Sequence, residues 1–453
     1  MFLVLRMIQR CTHLHPQYKY TFKPFYKPIS TLFRFFLISV PCAFISKPIN
    51  YYPLKLYPNL VEVVLRAMSD VFRDNRPVDR VVSFYLKNNP KWGSRDRSFI
   101  AESTYDMVRN WYLLWALLDR KPSFAKADLY HLFAAYRIYK GKELPEWTEF
   151  EGIDADKINE RASYNYERVT QYSIAPELDE LGESLLGQRW EAEIKAMSEA
   201  APVFIRVNTL KITKEQLAAD LLSSNIPTEP VSNVPDALKL LTKTNIYTHP
   251  LFLKGLFEIQ DAGSQLIAPF MNLQPGLRVI DACAGAGGKS LHIAALMQNK
   301  GRLIALDIEG RKLEELSRRS RRNTVSIIEV RPIDSTKVIK RLHGQADRLL
   351  LDVPCSGTGV FRRNPDTKYR ITKTILDNII ATQKQILQQY APMLKVGGEL
   401  IYATCSILPI ENRPQVDEFI KNNPGYTFLE DRTVYPSEND SDGFYMARLK
   451  KNA

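Results

Sequence analysis

Residues Leu277–Ser290 read LRVIDACAGAGGKS, and the fold is decided there. Leu277-Arg278-Val279-Ile280 is a short run with β-branched residues, bounded by Pro275-Gly276, and predicts a buried strand. Asp281 to Gly288 follows with small residues and three glycines. From Lys289-Ser290-Leu291-His292 to Leu296 the apolar spacing is helical. Strand, glycine turn and helix together bring bare backbone N–H groups and a helix N-terminus up to a ligand. The next predicted strand, Arg302-Leu303-Ile304-Ala305-Leu306, ends in Asp307, where a carboxylate can accept from ribose hydroxyls.

Downstream, strands and helices alternate. Strands are predicted at 277–281, 302–307, 326–331, 347–352 and 399–404, and helices at 288–298, 311–322, 373–390 and 412–421. This pattern predicts an α/β fold: a parallel sheet with helices on both faces. Ligands of such sheets bind at the carboxyl ends of the strands. The residues at those ends are Asp281, Asp307, Asp334, Asp352 to Cys355, and Thr404-Cys405.

Three nucleotide-type sites compete for the glycine turn. A G-x-G-x-x-G dinucleotide site fails, because Gly285-Ala286-Gly287 runs into Lys289 and Ser290. A P-loop nearly fits Gly288-Lys289-Ser290, but its first glycine position is Cys283. The third is an S-adenosylmethionine site on the same scaffold. A glycine turn that binds nothing is the plain alternative.

Five cysteines, Cys11, Cys42, Cys283, Cys355 and Cys405, form no C-x-x-C pair. Neither a disulfide framework nor a zinc site is indicated, and a reducing compartment fits. A single cysteine at a core strand end is often a small buried hydrophobe. Here Asp352-Val353-Pro354-Cys355-Ser356-Gly357 and Thr404-Cys405-Ser406 follow neighbouring predicted strands. One reaction needs such cysteines. Cytosine C5 is a poor nucleophile until a thiolate adds to C6; C5 can then take a methyl group from a sulfonium donor. A base afterwards removes the C5 proton and the cysteine is eliminated. The thiolate is the active form, so its free pKa of about 8.5 must be lowered by cations or backbone dipoles. Lys289, Arg362 and Arg363 are the candidate cations. The target base must also be unstacked.

The chain has 453 residues, a net charge of +12 and a pI near 9.2, which suits an anionic partner such as RNA. Its 45% hydrophobic and 25% charged residues are those of a soluble globular protein. The first fifty residues hold seven basic side chains and no acid, so the remainder is far less basic. Residues 1–55 are expected to be a basic, disordered extension; the apolar run Leu32–Ile45 is broken by Arg34 and Pro41 and is too short to span a membrane. A basic arm for RNA or a membrane surface is the sharper alternative.

Residues 56–170 are expected to form a helical domain. Val61, Val64, Leu65, Met68, Val71 and Phe72 share one face, as do Phe99, Ile100, Tyr105, Val108, Trp111 and Leu114. Ser94-Arg95-Asp96-Arg97 offers either an RNA contact or a helix start capped by Ser94 or Asp96. Residues 171–265 read as a small α+β module. It has a strand at 202–208, a capped helix from Thr213 to Leu222, and strands at 238–243 and 251–259. Arg206 and Asn208 are either buried anchors or RNA contacts. Residues 266–453 form the main domain.

Residues 258–447 resemble the Sun/Nop family of S-adenosylmethionine-dependent RNA (cytosine-C5) methyltransferases. The resemblance rests on Glu258-Ile-Gln-Asp261-Ala-Gly-Ser264-Gln265, Asp281-Ala-Cys-Ala-Gly-Ala-Gly-Gly-Lys289, Asp352-Val-Pro-Cys355-Ser-Gly-Thr-Gly-Val360, Arg362-Arg-Asn-Pro-Asp366, Ala403-Thr-Cys405-Ser406 and Asp442-Gly-Phe-Tyr-Met-Ala447. Arg206-Val-Asn-Thr-Leu-Lys211 is also family-like, and the helical segment resembles the NusB-like RNA-binding domain of the bacterial ribosomal-RNA branch. One departure is Gly285-Ala286-Gly287-Gly288-Lys289, where the family turn is Ala-Pro-Gly-Gly-Lys.

The resemblance implies a Rossmann-like class I methyltransferase domain preceded by the all-α domain and the α+β module. It implies Cys405 as nucleophile and Cys355 as the residue that helps resolve the adduct. Cys283, Ala284, Gly285, Ala286, Gly287, Gly288 and Lys289 would hold the methionine part of S-adenosyl-L-methionine. Asp307 would take the ribose, Asp334 would face the adenine, and Asp352 would line the site near methyl donor and base. The expected partner is RNA, ribosomal before transfer RNA, with no membrane or metal, for a cytoplasmic monomer. A non-catalytic RNA-binding protein of this fold and a P-loop-like hydrolase are the rivals; the paired cysteines argue against both. Arg362-Arg363 beside Cys355 is the expected RNA contact. The cluster Arg311, Lys312, Arg318, Arg319, Arg321 and Arg322 is a second. Glu411 and Asn412 are expected to cap the following helix.

Overall fold

In the computed structural model, which describes residues 56–453, two sheets organise the chain. The extension expected over residues 1–55 lies outside the described residues. The smaller sheet contains β1 (Phe204–Val207), β2 (Thr228–Pro230), β3 (Ala237–Leu240) and β4 (Phe257–Ile259), in the order β2-β3-β1-β4. The larger contains β5 (Arg278–Asp281), β6 (Arg302–Asp307), β7 (Ile328–Pro332), β8 (Ala346–Asp352), β9 (Leu394–Thr404), β10 (Tyr426–Val434) and β11 (Phe444–Lys451). Its order is β10-β11-β9-β8-β5-β6-β7. Strands β5 to β9 pair in parallel, and β11 and β10 extend the sheet antiparallel. This is the expected α/β sheet.

The apolar runs are explained by burial on both faces. Val279, Leu303, Ala305, Leu350, Ile401 and Ala403 pack on one side with Leu291 and Ala294 of helix Gly288–Leu296 and Leu313 and Leu316 of helix Gly310–Asn323. Ile280, Ile304, Leu349, Leu351, Leu400 and Tyr402 pack on the other, with Leu387 of helix Lys373–Tyr390 and Val416 and Phe419 of helix Arg413–Asn422. Successive strand residues point to opposite faces, so Leu349-Leu350-Leu351 can be apolar throughout. Each such side chain contributes about 1.5–3 kcal/mol by leaving water.

Upstream, helices Pro58–Phe72, Val78–Asn88, Ser94–Arg109, Trp111–Leu118 and Lys126–Tyr139 enclose their own core, with Val61, Val64, Leu65, Met68 and Val71 on the inner face of the first. The face expected to run through Phe99 and Leu114 is split at Asn110, whose side chain donates to Asp106 O at 2.8 Å. Such local side-chain bonds compete with the helix ladder. Neither Ser94 nor Asp96 caps: Gly93 precedes the helix with no side-chain cap, and Ser94 is already its first residue. Arg97 donates to Leu86 O at 2.8 Å.

Within the smaller sheet, helix Lys214–Ser223 begins at Thr213, which accepts from Gln216 N, as its sequence suggests. The strand expected over 251–259 is shorter. Pro250 starts a helical turn to Leu253 with His249 accepting from Leu251 N, and β4 occupies only Phe257–Ile259. Proline is suited to the first helical position and donates nothing to a ladder.

The segment Phe361–Ile371 joins the helical part to the larger sheet. Lys368 is fully buried and donates to Arg109 O at 3.0 Å and Tyr172 O at 2.7 Å; Tyr369 Oη donates to Val108 O at 2.8 Å. The smaller sheet is tied to helix Gly310–Asn323 by Glu258 of β4, which pairs with Arg319 at 2.9 Å and also accepts from Arg322 and Asn323. Burial raises the Glu258 pKa, but the charge of Arg319 and the bonds and charge from Arg322 and Asn323 outweigh this and hold it below 4.5. Replacing Glu258 by Gln strands two arginines, and a stability loss of about 3–5 kcal/mol is expected in urea unfolding. Because the folded pKa is depressed, this stabilisation is complete above the unfolded value of 4.5 and fades as pH falls through the folded value. The gap between wild type and Glu258→Gln should therefore narrow below that pH; a constant gap would contradict the pairing.

Candidate active site

The order of the large sheet reverses beside β5, whose neighbours are β6 and β8. Such a switch point leaves a crevice at the strand ends. Asp281 ends β5 and the glycine turn follows. Gly287 has φ +84°, and a Cβ there would lie 2.0 Å from Leu316 Cδ1. Glycine is therefore required for the turn to pass over helix Gly310–Asn323. Gly285 also has positive φ, but a Cβ there meets nothing within 4 Å, so the turn faces open space. Protein bonds fix it from behind: Ala284 N donates to Leu306 O at 2.9 Å, Arg319 Nη1 to Ala286 O at 2.7 Å, and Arg206 Nη1 to Gly288 O at 2.6 Å. Arg206 and Asn208 are thus buried anchors. Asn208 Nδ2 donates to Gly255 O at 2.8 Å and Asn323 O at 3.1 Å.

The acids differ in their commitments. Asp307 accepts Gly285 N on one oxygen and Glu309 N on the other, both at 2.8 Å. Each carboxylate oxygen keeps a further lone pair for a ligand hydroxyl. Asp334 is exposed just beyond β7 and accepts from Ser335 Oγ at 3.1 Å. Asp352 accepts Lys289 Nζ at 2.6 Å. Burial lowers the Lys289 pKa, but the charge and hydrogen bond of Asp352, with smaller contributions from Cys405 and Asp281, outweigh it and raise the pKa. Asp281 is pushed up to about 7 by burial and then by Asp352, against the bond from Ser290 Oγ at 2.6 Å. Its Oδ1 is buried without a partner. An unpartnered carboxyl oxygen, an open glycine turn and a strand-end acid with spare lone pairs fit a cofactor carrying an amino group and ribose hydroxyls.

The two cysteines meet. Cys355 Sγ lies 3.1 Å from Cys405 Sγ, and Cys405 N donates to Cys355 Sγ at 3.2 Å. The bond with Cys405, then burial, then the charges of Cys405 and Glu411 push the Cys355 thiol well up. Cys283, in the turn, is pushed up by burial and by Asp281, Asp352 and Asp307. Gly359 closes the site's floor: its N donates to Cys405 O at 2.9 Å, and Gly443 N donates to its O at 2.8 Å. A Cβ on Gly359 would lie 2.3 Å from Gly443 O, so these loops can approach this closely only with glycine.

Arg362 is too buried for the RNA contact expected of it, whereas Arg363 keeps 34% of its side chain exposed. Arg362 is 4% exposed and donates to Ala196 O at 3.0 Å and Asp440 O at 2.9 Å. Arg363 pairs with Asp261 at 2.8 Å and with Asp442. Guanidinium groups are held in such places where carboxylates and carbonyls satisfy them, and these two tie the Cys355 loop to distant segments. Of the three candidate cations, Lys289 is the one that has Cys405 among the groups raising its own pKa. The basic helix is also partly consumed: Arg319 and Arg322 hold Glu258, Arg318 pairs with Glu315 and Lys312 with Glu309, while Arg311 and Arg321 remain exposed.

Glu411 and Asn412 do not cap the next helix by their side chains. Asn412 precedes helix Arg413–Asn422 without a side-chain cap, accepts Thr404 Oγ1 at 2.6 Å and donates to Ser406 O at 3.0 Å. Glu411 is fully buried and accepts from Ser356 and Ser406. A signal for this existed in the sequence: both cysteines are followed by serine, and Glu411 ends the apolar run Ile407-Leu408-Pro409-Ile410. Among the described residues no group of His, Cys, Asp and Glu is arranged to hold a metal ion, and no helix is long and apolar enough to cross a membrane.

Comparison with known proteins bears on this site. Residues 268–450 match the family model described as 16S rRNA methyltransferase RsmB/F, and residues 182–247 match the ferredoxin-like domain model of the same proteins. The chain is 33% identical over 441 residues to a probable ribosomal RNA small subunit methyltransferase B of Synechocystis, covering 86% of this chain and 99% of that protein. It is 36% identical over 277 residues to ribosomal RNA small subunit methyltransferase B of Pasteurella multocida, covering 58% of this chain and 62% of that protein. A solved methyltransferase homolog protein from Pyrococcus horikoshii superposes with TM-score 0.54 at 28% identity, covering 60% of this chain and 93% of that one.

The turn predicts its own sensitivity. Gly287→Ala places a methyl group into Leu316 at a left-handed backbone position. Affinity for S-adenosylmethionine, read by calorimetry, is expected to fall at least about tenfold, which is roughly 1.4 kcal/mol. Unchanged affinity would show that the turn does not form the cofactor site.

Proposed function

Because the chain belongs to the 16S rRNA methyltransferase RsmB/F family, we propose that Cys405 and Cys355 carry out methylation of cytosine C5 in ribosomal RNA through a covalent Cys405–C6 adduct. The protein is an S-adenosylmethionine-dependent rRNA methyltransferase. The observation that carries a two-cysteine reaction is the 3.1 Å contact between two sulfurs at adjacent strand ends, next to the Lys289–Asp352 pair, and the family resemblance divides the roles between them.

Cys283 to Lys289, Asp307, Asp334 and Asp352 hold the cofactor, with the turn taking the methionine part, Asp307 the ribose and Asp334 the adenine side. The bound cofactor supplies the sulfonium methyl group that C5 accepts. Cys405 as thiolate forms the bond to C6, and the displaced π electrons make C5 nucleophilic. Lys289, paired with Asp352 beside the two cysteines, is the cation of that rim. Cys355, whose thiol is pushed well up by its bond with Cys405 and by burial, lies 3.1 Å from the Cys405 sulfur and is the thiol of the pair. After methyl transfer the C5 proton leaves to a base, the S–C6 bond breaks, and its electrons return to Cys405 as C5=C6 reforms. Cys355 assists that release.

Residues 56–170 are read as a NusB-like RNA-binding domain, 171–265 as an α+β module that braces the glycine turn through Arg206, and 266–453 as the catalytic domain. The described cysteines are free, which suits the reducing cytoplasm. Both sulfurs and the turn come from one chain, which supports a monomer.

The test is a pair of incubations with ribosomal RNA and labelled S-adenosylmethionine. Cys355→Ala is expected to accumulate a denaturation-resistant protein–RNA adduct, and Cys405→Ala none. Adduct from Cys405→Ala would reverse the roles. No adduct from either variant, with no label on cytosine from wild type, would overturn the reading.

A further inference from the structure

We propose that Glu411 is a positioning residue for the reaction: its carboxylate clamps the loop of Cys355 to the loop of Cys405 and so sets how the two sulfurs face each other. The inference rests on the cysteine roles given above.

The argument begins with what Glu411 lacks. It is fully buried, and among the described residues the donors that reach its carboxylate are neutral. A carboxylate buried away from cations is costly unless hydrogen-bond donors surround it. Here four do. Oε1 accepts from Ser356 Oγ and Ser406 Oγ, both at 2.5 Å. Oε2 accepts from Ser356 N at 2.8 Å and Gln383 Nε2 at 3.0 Å. Ser356 directly follows Cys355, and Ser406 directly follows Cys405. Gln383 Nε2 also donates to Pro354 O at 3.0 Å, so both chain neighbours of Cys355 are held. Tyr402 Oη donates to Glu411 O at 2.7 Å and fixes the clamp's backbone to β9. Thr358 Oγ1 lies 2.9 Å from Ser406 Oγ and closes the set.

A carboxylate suits this place because both its oxygens accept and neither donates. An amide has one accepting oxygen, and its NH2 would confront the N–H or hydroxyl donors now paired with Glu411. The clamp also places a negative charge near Cys355. The titratable groups that face this thiol are Cys405, Glu411 and Tyr402, and the Glu411 charge is one of those that favour the protonated thiol.

Glu411→Gln should lower kcat while leaving KM for RNA within about twofold, the pattern of a lost transition-state geometry. A displacement near 1 Å at the sulfurs corresponds to a fall of about 10²-fold. A second readout separates positioning from mere support of the fold. In full-length Cys405→Ala protein, alkylation of Cys355 by iodoacetamide is followed against pH by mass spectrometry. Adding Glu411→Gln removes a negative charge, so the alkylation profile should move to lower pH; Glu411→Asp, which keeps the charge, should leave it near its original position. If Glu411→Gln does not fold, Ser356→Ala and Ser406→Ala each remove one donor, and each should lower kcat at unchanged KM. A folded Glu411→Gln with wild-type kcat and an unmoved profile overturns the proposal, as do wild-type kcat values for both serine variants. If the wild type places no methyl group on cytosine, the functional reading fails by itself, and the alkylation profile still tests the clamp.

Discussion

Parallel pairing of β5, β8 and β9 is the constraint on which the rest depends. Asp281 stands opposite Leu350, and Asp352 opposite Ala403, so the three strands end close together at one edge of the sheet. Whatever follows those strands must meet there: the glycine turn after β5, the Cys355 loop after β8 and the Cys405 loop after β9. The register itself is held by apolar side chains on both faces, since a slip of one residue would turn every side chain to the wrong layer. Core packing and the juxtaposition of chemical groups thus have one cause.

The rim so formed is polar, which makes hydrogen bonding the second organising force. Lys289 with Asp352, Ser290 with Asp281 and the serines around Glu411 satisfy most of what the strand ends bury. The exception is Asp281 Oδ1, left without a partner beside the open turn. The surrounding segments are drawn in by the same force. Arg206 reaches from the smaller sheet to Gly288 O, Arg363 from the Cys355 loop to Asp261 and Asp442, and Lys368 from the same region to carbonyls of the helical part. The segment that follows Cys355 is therefore tied through Arg363 and Lys368 to several other parts of the described chain.

Local features were legible in the sequence and distant partnerships were not. The turn at Gly285–Lys289 announces itself because strand period, glycines and helix period lie within fourteen residues. The convergence of Asp307, Asp352, Cys355 and Cys405 follows from the alternation of strands and helices alone. Arg362 was misread because charge beside a candidate nucleophile looks like a substrate contact; its partners Ala196 and Asp440 lie far along the chain, as do Asp261 and Asp442, which pair with Arg363. Glu411 was taken for a helix cap because its neighbour begins a helix, and its partner Ser356 is 55 positions away. The strand expected through Leu251 failed for a local reason, a proline at the first position of a helical turn.

The central claim is that Cys405 bonds to C6 of a cytosine while Cys355 remains free. The most direct measurement uses ribosomal RNA containing 5-fluorocytidine together with S-adenosylmethionine and the wild-type protein. Fluorine at C5 cannot leave as a proton does, so an adduct formed during the reaction persists. Digestion and tandem mass spectrometry then identify the cysteine that carries the nucleotide. The account predicts a methylated fluorocytidine on the peptide containing Cys405. The same nucleotide on the peptide containing Cys355, or no nucleotide on either peptide while methylation of normal RNA proceeds, would contradict it.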